Sequence, residues 1–160
     1  EWSEERELDW YLLAEDEQHV YVKNFWRDLL KLYKKNKALY EQDCCMEGFE
    51  WINNISADES IVVFTRKTSK KDETLLVVCN FTPVVRKNYK IGVPFRGKFK
   101  EIFNSDAVKF GGEGNVNPRL KQSKAEECDG RDDSIKIIVP PLGISIFKCT
   151  PLAPAKKRKK

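Results

Sequence analysis

The chain has 160 residues, of which 41% are hydrophobic and 34% charged, with 29 basic and 25 acidic side chains. A chain of this length buries roughly 70% of its unfolded surface, so one domain with a helical appendage folds without staples. No apolar run approaches the ~20 residues of a bilayer span, and no basic-then-apolar leader opens the sequence, so a soluble, cytoplasmic protein without membrane contact is expected.

The net charge of +4 invites a nucleic-acid reading, but residues 156–160 are all basic, and removing those five from the 29 leaves 24 against 25 acidic side chains. A body so close to neutrality offers no electrostatic footprint for a phosphate backbone, so no nucleic-acid partner is expected. Five cysteines, Cys44, Cys45, Cys79, Cys128 and Cys149, leave one over in any disulfide scheme, and none stands in C-x-x-C spacing. Reduced thiols are expected, and neither metal nor cofactor.

Residues 1–16 mix two tryptophans with seven acidic side chains, which predicts an irregular segment with at most a short helical turn. From 17 to 40, Val22, Phe25, Trp26, Leu29, Leu32 and Tyr33 recur at spacings of three and four, which predicts an amphipathic helix with one buried face. A further short helical turn is read near 38–42. After Gly48 the period changes to two, and the pattern predicts seven strands at 50–52, 61–66, 74–80, 86–93, 98–104, 134–139 and 144–149. Short strands with local connections and no intervening helices predict a mainly β fold: an antiparallel β-sandwich preceded by one amphipathic helix. Residues 105–130 are too long a stretch to stay structureless in a compact domain, so they form either an ordered loop over the sheet or a partly mobile one.

Candidate chemistry is sparse. The only histidine, His19, falls near the helix start, away from any metal-ligand spacing, and reads as exposed or capping. Acidic pairs such as Glu4-Glu5, Asp58-Glu59, Glu126-Glu127 and Asp132-Asp133 sit in turn contexts, whereas a catalytic acid needs a walled pocket to raise its pKa. The glycines of Phe110-Gly111-Gly112-Glu113-Gly114 match no phosphate loop and read as positive-φ positions. Asn54-Ile55-Ser56 and Asn80-Phe81-Thr82 match the glycosylation pattern by accident. Trp26 and Trp51 are read as core. Tyr89, Phe95, Phe99 and Phe110 are loose candidates for a sugar-stacking row.

The run Leu76-Val77-Val78-Cys79-Asn80-Phe81-Thr82-Pro83, continuing through Tyr89 to Pro94, resembles the strand pair that opens the C-terminal β-domain of bacterial 1,4-α-glucan (glycogen) branching enzymes, members of the α-amylase superfamily. Glu1-Trp2 with Glu7-Leu8-Asp9-Trp10-Tyr11-Leu12-Leu13, and Phe103-Asn104-Ser105-Asp106-Ala107 before Phe110-Gly111-Gly112, fit the same resemblance. It implies that residues 1–45 are the last loop and helix of a catalytic β/α barrel, 46–150 a C-terminal β-sandwich, and 151–160 a basic disordered tail. It also implies that the catalytic residues of this retaining transglycosylation lie on absent barrel strands, so no catalytic residue is assigned here. Trp2 is the one substrate-binding candidate, at the mouth of the glucan cleft, although Glu1-Trp2-Ser3-Glu4-Glu5-Arg6 departs from the family's usual Trp-Asn-His-Asp. The implied partners are the barrel of the same enzyme, α-glucan at most weakly, and a second copy through the exposed helix. The competing reading is a free-standing carbohydrate-binding β-sandwich.

Overall fold

A computed structural model describes residues 3–5 and 7–152. A single turn, α1 (Leu12–Glu15), leads into α2 (Glu17–Lys35). α2 starts where Asp16, in extended conformation, accepts a hydrogen bond from the Gln18 backbone N–H at 2.8 Å. Such a cap satisfies one of the amides that a helix start leaves free. The helix ends earlier than the residue at 40 predicted from periodicity. Asn36 turns to extended backbone, and its side-chain Nδ2 takes the Leu32 carbonyl at 2.7 Å, closing the last turn. A 3-10 turn over Lys37–Leu39 follows, at the front of the expected second turn.

Eight strands follow: β1 (Phe49–Asn53), β2 (Ile61–Arg66), β3 (Leu75–Asn80), β4 (Arg86–Gly92), β5 (Gly97–Asn104), β6 (Lys121–Gln122), β7 (Ser134–Val139) and β8 (Gly143–Pro151). All pairings are antiparallel, in a six-stranded sheet of order β1-β2-β3-β8-β5-β6 and a two-stranded β4-β7 ribbon. The expected antiparallel sandwich is therefore present, but its connections are less local than predicted. β8 slots between β3 and β5, and β4 pairs with β7 across more than forty residues.

Side-chain alternation sorts the chain into three layers. On β2, Ile61, Val63 and Thr65 are buried between the sheet and the ribbon, while Val62, Phe64 and Arg66 face the other way. The inner core joins Ile61, Val63, Leu76, Val78, Phe99 and Phe147 to Ile91, Ile135, Ile137 and Val139 of the ribbon. The outer face offers Leu75, Val77, Phe103 and Ile146, and α2 lies over them with Phe25, Leu29 and Leu32. β3 is covered on both sides, which is why 75–78 reads as an unbroken apolar run rather than an alternating one.

The 105–130 stretch is an ordered loop held by side-chain bonds. Asp106 accepts from the Glu113 N–H at 3.1 Å, the Asn115 N–H at 2.8 Å and Asn115 Nδ2 at 2.9 Å. Asn117, buried, donates its N–H to Glu101 Oε2 at 2.7 Å and its Nδ2 to the Ile138 carbonyl at 2.8 Å, and accepts from the Ile138 N–H at 2.8 Å. One amide thus ties β5 of the large sheet to β7 of the ribbon. β6, the short rung within this loop, was not among the seven predicted strands.

Candidate functional site

α2 is apolar on two sides. Phe25, Leu29 and Leu32 pack on the sheet, and the Phe25 ring meets Phe103 and Phe110 edge-on at 5.5 Å. Val22, Trp26, Leu30 and Tyr33, spaced by four, four and three residues, form a second stripe that is exposed. Trp26 is 56% exposed, so the reading that placed it in the core is corrected: helical spacing puts it one position beyond the face that the sheet covers. Beside Phe25 lies a hollow of about 370 Å³ lined by Cys79, Phe81, Leu142 and Ile144. Phe81 and Leu142 are both exposed at its rim. Leu142 holds a left-handed backbone at φ 41°, fixed by its N–H donating to the Thr82 carbonyl at 2.8 Å.

The four aromatics offered as a sugar-stacking row do not form one. Phe99 is completely buried, Tyr89 and Phe95 pack against the inner core, and Phe110 packs beneath α2. The Tyr89 hydroxyl donates to Glu59, and burial with that carboxylate pushes its pKa far up. Trp51 is instead the half-exposed aromatic on the sheet, 46% exposed, so its core reading is also corrected. It stands edge-on to Phe49 at 4.8 Å and to Phe64 at 5.8 Å, on the outer face beyond the cover of α2. Trp2 lies outside the described residues.

Four of the acidic side chains are tied to structural partners that lower their pKa. The Gln18 amide holds Asp16, and hydrogen bonds from Lys109 to Asp28 and from Thr68 to Glu73 hold those carboxyls, below the usual carboxylate range. Burial raises Glu50, but the Lys67 and Arg131 hydrogen bonds outweigh it and lower its pKa as well. A general acid needs the opposite displacement. His19 is exposed, with Nδ1 2.9 Å from Asp16 Oδ2, at the helix start as expected. Among the described residues no group of three or more His, Cys, Asp or Glu is placed to hold a metal, and no helix is long and apolar enough to cross a membrane. Asn80 is buried, with Nδ2 donating to the Val84 and Pro140 carbonyls, which leaves its amide engaged in the turn.

The glycines read as positive-φ positions include two that are so, Gly111 at φ 81° and Gly114 at φ 83°. Sequence reasoning missed Asn117 and the Asp106 cradle, whose partners lie 7 to 21 residues away, with no local pattern to announce them.

The sandwich described here is matched from Trp51 to the end of β8: the model of the α-amylase C-terminal all-β domain fits residues 51–150. The chain belongs to that family. The chain is 47% identical over 148 residues to the 1,4-α-glucan branching enzyme GlgB of Oceanobacillus iheyensis, covering 92% of this chain and 23% of that one. It is 43% identical over 148 residues to GlgB of Geobacillus stearothermophilus, with the same coverage, and 38% identical over 159 residues to GlgB of Bacillus cytotoxicus, covering 99% and 24%. The chain therefore spans about a quarter of the length of these curated relatives. A crystal structure of an α-amylase from H. orenii overlaps 79% of this chain and 20% of that one, at 19% identity and a TM-score of 0.46. The family match begins inside β1, so α2 lies outside it, yet the similarity to the branching enzymes is long enough to include α2.

Proposed function

We propose that the chain is the non-catalytic rear part of a cytoplasmic 1,4-α-glucan branching enzyme. Residues 1–45 are then the last loop and helix of its catalytic barrel, with Trp2 at the cleft mouth, and 46–150 the β-sandwich that caps the barrel; nearly all of the basic tail expected at 151–160 lies outside the described residues. The observation that carries this reading is the bare stripe of Val22, Trp26, Leu30 and Tyr33. A helix apolar on two sides belongs between two layers. The sheet is one layer. The remaining three quarters of a protein of the relatives' length supplies the other. The domain is then architectural: it covers the outer side of the barrel, while cleavage of the α-1,4 bond and transfer to a 6-hydroxyl belong to carboxylates on barrel strands.

In the isolated chain the same stripe is free to pair with a second copy. The test combines two readouts on the purified 160-residue chain. Incubation with amylose leaves the iodine colour unchanged, and sedimentation shows concentration-dependent self-association that Trp26→Glu with Leu30→Glu abolishes. Measurable branching overturns the assignment of chemistry to the barrel; a monomer at all concentrations removes the role given to the stripe.

A second reading, a free-standing carbohydrate-binding sandwich, is favoured by Trp51, whose half-exposed ring flanked by Phe49 offers a flat apolar surface to a sugar. Glycogen-affinity electrophoresis of the same sample separates the two: strong retardation lost in Trp51→Ala supports the binding module.

A further inference from the structure

Between the C-terminal half of α2 and strands β5 and β8 of the six-stranded sheet runs a groove of about 540 Å³, within the range of small-molecule sites. Its floor is apolar, made by Leu32, Ile102 and Phe103, and its walls carry Lys31, Lys35, Lys109 and Lys148. These cations come from three separate places: α2, the turn over Val108–Phe110, and β8. Asp28 is the one carboxylate in the lining, and Lys109 Nζ already neutralises it at 2.7 Å. Lys31, Lys35 and Lys148 make no ion pair among the described residues. Lys100, paired directly across from Lys148 in the β5-β8 ladder, adds a like charge on the same sheet face.

A solvated helix end accounts for Lys34 and Lys35, since cations suit the negative pole of a helix. It does not account for Lys148 opposite Lys100, because like charges directly opposed across strands are destabilising. Outside the basic tail the chain balances its charges, so a local excess of three positive charges around one hollow departs from the pattern of the molecule. We propose that this groove binds a phosphomonoester carried on a small hydroxylated body such as a sugar. Three unpaired ammonium groups match a dianion. Each radiates three donors as a compact point charge, the way lysine binds phosphate. The C–H face of a sugar covers the Leu32, Ile102 and Phe103 floor. The site is separate from the bare stripe of α2 and does not depend on the function proposed above.

The experiment is a two-dimensional NMR titration of the 160-residue chain with glucose 1-phosphate, inorganic phosphate and glucose, in the wild type and in Lys31→Gln with Lys148→Gln. Shifts confined to residues around 31–36, 102–103, 109 and 148 are expected with glucose 1-phosphate. Inorganic phosphate binds the same residues more weakly, and glucose binds least. The double variant keeps its thermal midpoint, because it removes repulsion rather than packing, and weakens glucose 1-phosphate binding at least about tenfold, or about 1.4 kcal/mol. Inorganic phosphate binding as tightly as the ester removes the role of the apolar floor. Equal shifts at Lys121, Lys124 and Lys136, or an affinity unchanged in the double variant, overturn the site.

Discussion

Glu50 shows how single side chains hold the edge of the sandwich. Its two carboxylate oxygens take Lys67 Nζ at 2.9 Å and Arg131 Nη2 at 2.7 Å, and the same Nη2 reaches the Trp51 carbonyl at 3.1 Å. β1 is thereby tied both to the residue after β2 and to the hairpin before β7. The side chain is 33% exposed, so water screens part of the attraction, and a contribution of about 1 kcal/mol is appropriate. Because the folded pKa lies below the unfolded one, this stabilisation is present above the unfolded value and is lost as pH falls through the folded one. Glu50→Gln is expected to lower stability by about 1 kcal/mol at pH 7 and by almost nothing once the pH is well below the folded-state value, where the carboxyl is protonated in both states. Urea unfolding at the two pH values checks it, and a deficit of equal size at both would show that lost packing, not charge, is responsible.

At the scale of elements, the docking of α2 depends on a glycine in the loop beneath it. Gly111 has φ 81°, and a Cβ there would stand 2.7 Å from Tyr21 Cδ2 on α2. Gly130, at φ 66°, has open space around the same position. Both alanine variants carry the cost of a left-handed residue, about 1 kcal/mol, and only Gly111→Ala adds a collision with the helix. Gly111→Ala is expected to lose about 2 kcal/mol and Gly130→Ala about half of that by thermal unfolding. Equal losses would mean that Tyr21 yields freely and that this contact does not position α2. The same elements show what could be read from residues alone. The bounds of β2 and β7 follow directly from alternation closed by turn chemistry on both sides. β6 has two residues, Lys121 and Gln122, too few for any period, and its place depends on β5 pairing with it. Trp26 was misplaced because periodicity says which residues share a face, not how wide a face the neighbouring layer will cover. The loop from 105 to 130 left two outcomes open in sequence, since its order rests on Asp106 and Asn117 finding partners on other strands.

The whole molecule is two cores of unequal strength sharing one sheet. The inner core holds thirteen buried apolar residues, the outer only five, and no residue of α2 itself is buried. Regions with few buried contacts open at lower free energy than the global transition. The thiols report on each layer separately. Cys44 and Cys45 are exposed, Cys79 lies in the outer core under α2, and Cys149 is fully buried in the inner core. Burial pushes the pKa of both Cys79 and Cys149 up, so half-buried Cys79 reacts more slowly than the exposed pair and Cys149 only once its layer opens. A thiol-reactive aromatic disulfide is therefore expected to label Cys44 and Cys45 at once in native buffer. As denaturant rises, Cys79 follows before the main unfolding transition, and Cys149 only with it. Mass mapping of the labelled sites distinguishes this order from the alternative, in which Cys79 and Cys149 become reactive together. Simultaneous labelling would mean that α2 and the sandwich unfold as one cooperative unit.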